Sequence, residues 1–89
     1  MLVNYLLGEY IKMSQLYLIK DLASKSGYSI HTLKYYLNIG LIKECGRFPE
    51  TNFRYFDNNN IEQLAKIRQL RKDGKSIRVI RKILDEGEK

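Results

Sequence analysis

The sequence predicts a mainly α-helical fold with one small β-hairpin. Apolar residues recur at helical spacing along most of the chain. Glycines and helix-capping residues divide these helical stretches into separate segments. One stretch, residues 43–56, instead combines turn-forming residues with closely spaced aromatic residues, which is typical of a hairpin. With 89 residues, the chain has room for one small domain and not for a second independent core.

Composition and charge exclude several classes of protein. The chain has a net charge of +6, and 44% of its residues are hydrophobic and 29% charged, which is ordinary globular composition. Its one cysteine, Cys45, can form neither an internal disulfide nor a cysteine cluster for structural zinc. No apolar run approaches the about 18 residues that a membrane span needs, and the N-terminus lacks the features of a secretory signal. We therefore expect a cytoplasmic protein with an anionic partner and no membrane association.

The first two predicted helices of the domain are close together. Residues 19–23 carry a short apolar stripe, and Gly27 ends that helix where a left-handed residue is needed. Ser29 can cap the next helix, which Gly40 ends. This pattern favours a helix-turn-helix, although spacing alone fits a generic helical hairpin equally well.

The second of these helices has an unusual outer face. At about 100° per residue, three apolar side chains define its predicted buried side: Ile30, Leu33 and Leu37. Tyr35 then points away from that side, together with His31 and Thr32, while Lys34 and Tyr36 flank it. An outward tyrosine beside such polar residues suits a helix that enters the major groove of DNA, but a singly exposed tyrosine is also common.

The rest of the domain is predicted as a hairpin followed by two helices. Residues 53–56 form the return strand of the hairpin, and Asp57 caps a long helix that ends at Gly74. Ser76 caps the last helix. The side chains expected to point inward from these two helices are Ile61, Leu64, Ile67, Leu70, Ile77, Ile80, Ile83 and Leu84.

Positive charge is concentrated in these last two helices. Residues 58–84 contain eight basic and two acidic residues, whereas residues 85–89 sum to −2. Such a stretch is usually a solvated helical face, and it indicates nucleic-acid binding only when its elements are built to enter a groove.

Residues 17–84 resemble the DNA-binding domain of the MerR (mercury-resistance regulator) family of bacterial transcription factors. The family's helix-turn-helix pattern is matched in order and at the same spacing by residues 19–23 (IKDLA), 27–36 (GYSIHTLKYY) and 40–42 (GLI). Its wing motif, G-Y-R-x-Y, is matched by residues 52–56 (NFRYF), and its following helix by residues 57–70.

This resemblance implies a winged helix-turn-helix of about four helices over residues 17–85. An apolar extension, residues 1–16, precedes this domain and can form an extra helix, and residues 86–89 form an acidic tail or the start of a linker. The implied function is sequence-specific binding of double-stranded DNA in transcription regulation, with RNA polymerase as a further partner. The residues expected to contact DNA are Ser29, His31, Thr32, Lys34, Tyr35, Arg47, Arg54, Tyr55 and Lys75.

Three departures from the family pattern bear on the expected contacts with DNA. Lys34 replaces an arginine, which keeps the charge but loses the planar fork and favours a point contact to phosphate. His31 stands where arginine is frequent, and Asn52 replaces the wing glycine, although asparagine tolerates the same left-handed turn. Arg54 is retained, and we expect it to contact phosphate.

Other functions fit the sequence less well. An excisionase-like protein that bends DNA during recombination is the main alternative, and a module whose basic face binds an acidic protein is a third. We do not expect the protein to be an enzyme, since the sequence has no acid–base pair beside a glycine-rich loop. We also expect it to bind no cofactor. Neither Cys45 nor His31 has partners at metal-ligand spacing. The chain stops where family members continue into a dimerisation helix, so we expect a monomer or weak oligomer.

Overall fold

The computed structural model describes residues 16–87, which form four helices and one two-stranded antiparallel hairpin. The elements in chain order are α1 (Ile19–Ser26), α2 (Ile30–Asn38), β1 (Gly46–Arg47), β2 (Arg54–Tyr55), α3 (Asn58–Lys72) and α4 (Ile77–Gly87). Helix α1 packs against α2 and α3, and α3 packs against α4. The predicted fold class is therefore confirmed. The extra helix suggested for residues 1–16 lies outside the described residues. Of that segment, the structure describes only Leu16, which is exposed.

Short-range hydrogen bonds define the helix ends at the predicted residues. The Ser29 hydroxyl accepts from the backbone N–H of Thr32 at 3.0 Å and starts α2. The Asp57 carboxylate accepts from the backbone N–H groups of Asn59 and Asn60, at 3.0 and 3.3 Å, at the start of α3. Gly27, between α1 and α2, has φ +80°, a conformation that a side chain disfavours. The sharp turn of the helix-turn-helix therefore depends on this glycine.

The core contains apolar side chains from every helix and from the segments that flank the hairpin. Its fully buried members are Leu22, Leu33, Phe56, Leu64, Ile67 and Ile80. Around these lie the other buried apolar residues, Tyr17, Tyr36, Leu41, Ile42 and Leu84. This core holds α1 and α2 at a constant mutual position, which a groove-binding helix needs.

The predicted buried side of α2 is wrong at Ile30. Ile30 is the first residue of α2 and is 39% exposed, whereas Tyr36, predicted to flank the apolar stripe, is 6% exposed and belongs to the core. The ring of Tyr36 packs edge-on against Tyr28, with 5.5 Å between the ring centroids. The buried stripe therefore consists of Leu33, Tyr36 and the half-buried Leu37, because Tyr28 offers Tyr36 a partner across the helix-turn-helix.

The hairpin is held to the domain by a long-range backbone pairing. Gly46 pairs with Tyr55 within the hairpin, and Asn52 adopts φ +61° in its turn, as predicted for an asparagine in the place of glycine. Strand β2 is one residue shorter than predicted at each end, and Phe56 pairs instead with Tyr17 in an antiparallel bridge with N···O distances of 2.7 and 2.8 Å. The chain just before α1 thus anchors the end of the hairpin.

Helix α4 contacts the end of α2 directly. The Arg81 guanidinium donates a hydrogen bond to the carbonyl oxygen of Ile39, the residue that follows α2. This bond satisfies one of the carbonyl groups left unpaired where a helix ends, and its cation lies at the favourable end of the helix dipole. The orientation of α2 is therefore coupled to α4.

None of the helices within residues 16–87 is both long enough and apolar enough to cross a membrane.

Candidate nucleic-acid interface

An open cleft of about 550 Å³ lies between α2 and the hairpin. It is lined by His31, Thr32, Lys34, Tyr35, Leu37, Asn38 and Arg54, and is called here the helix–hairpin cleft. Five of the predicted site residues thus share one surface. None of its lining residues is an aspartate or glutamate. A cleft with cationic and polar walls suits a polyanionic ligand.

The α2 side of this cleft carries the outward face that the sequence predicts. Tyr35 is 51% exposed, in agreement with its predicted outward position. His31 and Lys34 are exposed and Thr32 is half-buried. His31 and Thr32 belong to the first turn of α2, and this end of a groove-binding helix commonly meets base edges.

The hairpin side of the cleft carries Arg54, whose charge is partly compensated. Its Nε atom is buried, lies 3.6 Å from Glu44 Oε1 and makes no hydrogen bond to any described residue. The same carboxylate accepts a hydrogen bond from Arg47 Nε at 3.3 Å. The backbone N–H of Glu44 donates a hydrogen bond to its own carboxylate, and with Arg47 and Arg54 it holds the pKa of the Glu44 carboxyl below its usual value, against the opposing effect of partial burial. Glu44 is therefore ionised at neutral pH and holds both hairpin arginines.

A second cleft of about 390 Å³ adjoins the first one. Lys34 and Arg54 line both clefts, and Arg47 lines only the second one, together with Lys20 and Phe53. Arg47 therefore lies beside the helix–hairpin cleft and not in it.

Three predicted site residues line neither of these clefts. The Ser29 hydroxyl caps α2 and also bonds to the Thr32 hydroxyl at 3.0 Å. The half-buried Tyr55 packs on Phe48, with 4.8 Å between ring centroids, and its ring occupies the space that a Cβ atom at Gly46 would need. Lys75 is exposed in the turn between α3 and α4. Ser29 and Tyr55 thus support the cleft walls, and Lys75 lies on a separate element.

Sequence reasoning missed two residues that shape the site. Asn38, at the end of α2, lines the helix–hairpin cleft, and its position one turn after Lys34 is the signal that could have shown it. Glu44 holds the two hairpin arginines, and only its spacing of three residues from Arg47 was visible in the sequence.

The Cys45 thiol has an environment that disfavours reactivity. Its Sγ atom donates a long hydrogen bond, 3.7 Å, to Asn60 Oδ1. Local burial of the thiol, with the nearby Asp57 carboxylate, raises the pKa of Cys45 to about 11. Because the thiolate is the reactive form, this thiol is a poor nucleophile at neutral pH.

Comparisons with known proteins agree with this fold. The sequence profile of the MerR HTH family of regulatory proteins matches residues 17–87. The crystal structure of a transcriptional regulator of the MerR family from Bacillus cereus is similar to this chain, with a TM-score of 0.72 and 26% sequence identity. The matched region covers 78% of this chain and 51% of that regulator, so the chain spans about half of its length. No curated protein is similar enough to count as a match.

Proposed function

The chain belongs to the MerR family of helix-turn-helix regulatory proteins, and from this premise we propose that it binds double-stranded DNA sequence-specifically and regulates transcription. The observation that carries the proposal is the helix–hairpin cleft. There, the exposed face of α2 and a hairpin arginine line one surface without any carboxylate among the lining residues. A helix for the groove and a cation for the adjacent backbone are the two parts that winged helix-turn-helix binding needs.

The two sets of cleft residues have different roles in this proposal. His31 and Thr32, in the first turn of α2, contact base edges in the major groove and determine sequence preference. Lys34, Tyr35 and Arg54 contact phosphates and determine affinity, because an ammonium group, a hydroxyl and a guanidinium all bind phosphate oxygens without reading the base. In this proposal the protein acts in the cytoplasm at promoters. RNA polymerase is its further partner there.

We expect the substitutions His31→Ala and Thr32→Ala each to change which DNA sequences the protein selects from random duplexes. Each substitution removes a polar group that can discriminate base pairs, and one good base contact is worth about 1–3 kcal/mol of discrimination. Selection followed by sequencing, with wild-type protein and both variants in parallel, measures this change.

The control for this experiment is Val79→Ala, which truncates another exposed helical side chain outside the cleft-lining set. It should recover the wild-type sequences. The same preference in wild type and in both cleft variants would show that α2 does not read the groove. Equal wild-type affinity for the selected duplex and a shuffled one would contradict sequence-specific binding itself.

We also propose that the protein is mostly monomeric in solution and binds cooperatively to tandem or inverted sites. One chain presents one α2 and one hairpin, which suit a single half-site, and a lone half-site gives weak discrimination. Sedimentation at micromolar concentration should therefore give the mass of one chain. A stable dimer that disappears when residues 1–12 are deleted would overturn this prediction and make that segment the dimerisation element.

A further inference from the structure

Arg81 lies on α4 and contacts the backbone at the point where α2 ends. Its guanidinium donates a hydrogen bond to the carbonyl oxygen of Ile39, which is 42 positions earlier in the chain. Its Nη1 atom also lies 3.5 Å from the position that a Cβ atom at Gly40 would occupy. The guanidinium therefore lies against the two residues that directly follow α2.

The turn after α2 satisfies other terminal carbonyl groups of the helix locally. Gly40, at φ +74°, donates its backbone N–H to the carbonyl oxygen of Leu37 at 3.1 Å. Leu41 donates in the same way to the carbonyl oxygen of Tyr36 at 2.8 Å. These two bonds form a common glycine-dependent helix end. They leave the carbonyl oxygen of Ile39 to a donor from another element, which α4 supplies.

The side chain of Arg81 is committed to this contact and not to the DNA-facing surface. It is half-buried and forms no ion pair with a carboxylate of residues 16–87. It lines neither the helix–hairpin cleft nor the cleft that adjoins it. Its cation is stabilised where it lies, because the C-terminal end of a helix carries partial negative charge.

The contact acts at the end of α2 that is opposite to the residues proposed to contact bases. Helix α2 has nine residues, and at about 1.5 Å per residue it is about 13 Å long. His31 and Thr32 lie in its first turn. A tilt of about 10° about the Arg81 contact moves that turn by about 2 Å. Binding groups work only when they are held within about 0.5 Å of their productive positions, so such a tilt weakens base contacts.

We propose that Arg81 is a positioning residue for base recognition, which fixes the angle of α2 in the groove without touching DNA. This role rests on the proposed DNA-binding function. Leu33 and Tyr36 hold the inner face of α2 in the core, and Arg81 holds its end. Without the Arg81 bond, α2 keeps its core contacts but loses its fixed angle, and the contacts of its first turn to bases weaken.

Contacts to phosphate depend less on this angle. Lys34 carries a long flexible side chain, and Arg54 lies on the hairpin and not on α2. Loss of the Arg81 bond should therefore lower the affinity for a preferred sequence and leave the affinity for an unrelated sequence nearly unchanged. The ratio of these two affinities is called here the discrimination ratio. A loss of folded protein would lower both affinities equally and leave this ratio unchanged.

The substitution Arg81→Met tests this role. Methionine keeps an unbranched side chain of good helix propensity and removes every N–H donor. Fluorescence anisotropy titrations use a duplex that the wild-type protein selects and a shuffled duplex. The discrimination ratio should fall about tenfold, as expected for a weakened base contact. An equal loss of affinity for both duplexes would show a structural role only and overturn the assignment.

The matched control is Arg78→Met on the same helix. Arg78 is exposed and forms no ion pair with a described carboxylate. This variant removes the same charge and should keep the wild-type discrimination ratio. An equal fall of the ratio in both variants would show a general effect of charge and contradict the role of Arg81. Thermal unfolding followed by circular dichroism should confirm that each variant is folded at the temperature of the titrations.

Arg81→Lys is a second variant, which keeps the cation but loses the planar fork and some reach. Its discrimination ratio should lie between those of wild type and Arg81→Met. If Arg81→Met does not fold, the lysine variant decides alone. A reduced ratio then supports the positioning role, and a wild-type ratio overturns it.

The wild-type protein separates failure of this role from failure of the proposed function. If wild type prefers its selected duplex and the Arg81 variants keep that preference, Arg81 does not position α2, while sequence-specific binding stands. If wild type binds the selected and the shuffled duplex equally, sequence-specific binding fails, and the role of Arg81 fails with it.

Discussion

Phe56→Ala is expected to lower the free energy of unfolding by about 3–5 kcal/mol. Phe56 is completely buried, and its backbone bridges to Tyr17 at the point where the hairpin joins the core. Removing the ring leaves a cavity next to both the hairpin and the start of α1, and a close-packed interior refills such a cavity only in part. Because domains have total stabilities of about 5–15 kcal/mol, this single change removes much of the stability.

Urea denaturation followed by circular dichroism measures this loss as a lower midpoint with an unchanged dependence on urea. Phe53→Ala is the matched control, since Phe53 lies in the same hairpin but is 59% exposed. Its cost should be within about 0.5 kcal/mol. Equal losses in the two variants would mean that burial of Phe56 does not anchor the hairpin.

Arg54→Ala is expected to weaken binding to every duplex by roughly tenfold and to reduce the salt slope by about one. A hydrogen bond to a charged group contributes about 1.5–3 kcal/mol, which is consistent with a loss of this size. Because Arg54 contacts phosphate in the proposed complex, sequence preference should not change. Fluorescence anisotropy titrations over a range of salt concentrations, with a selected and a shuffled duplex, measure both quantities.

Glu44→Gln is a control that should change the DNA affinity in the opposite direction. Its carboxylate lies 3.6 Å from Arg54 Nε and 3.3 Å from Arg47 Nε, and it competes with phosphate for both cations. Neutralising Glu44 should therefore tighten binding to all sequences, and less so in the Arg54→Ala background. Unchanged affinity and slope in Arg54→Ala would show that the hairpin does not lie on the DNA backbone.

The elements of this protein follow from short-range sequence signals. Ser29 and Asp57 accept hydrogen bonds from N–H groups two or three residues ahead of them, and Gly27 takes the left-handed conformation that its residue type permits. Such interactions involve neighbours in the chain, so residue type and spacing are enough to predict them. The outward position of Tyr35 follows in the same way from helical rotation.

What surrounds those elements was decided by side-chain packing that helical periodicity does not show. Tyr36 belongs to the core and its ring packs against Tyr28, whereas Ile30, the first residue of α2, is exposed. The periodicity of α2 alone shows neither.

The same is true of the contacts that bring separate elements together. Phe56 pairs with Tyr17, which lies before the first helix, and Arg68 of α3 covers the Tyr28 ring. The sequence by itself determined the helices, the hairpin and the outer face of α2, because the interactions that define them are local. The tertiary structure decided which cations are held by a carboxylate and which remain free, because distances between elements depend on how the whole core packs.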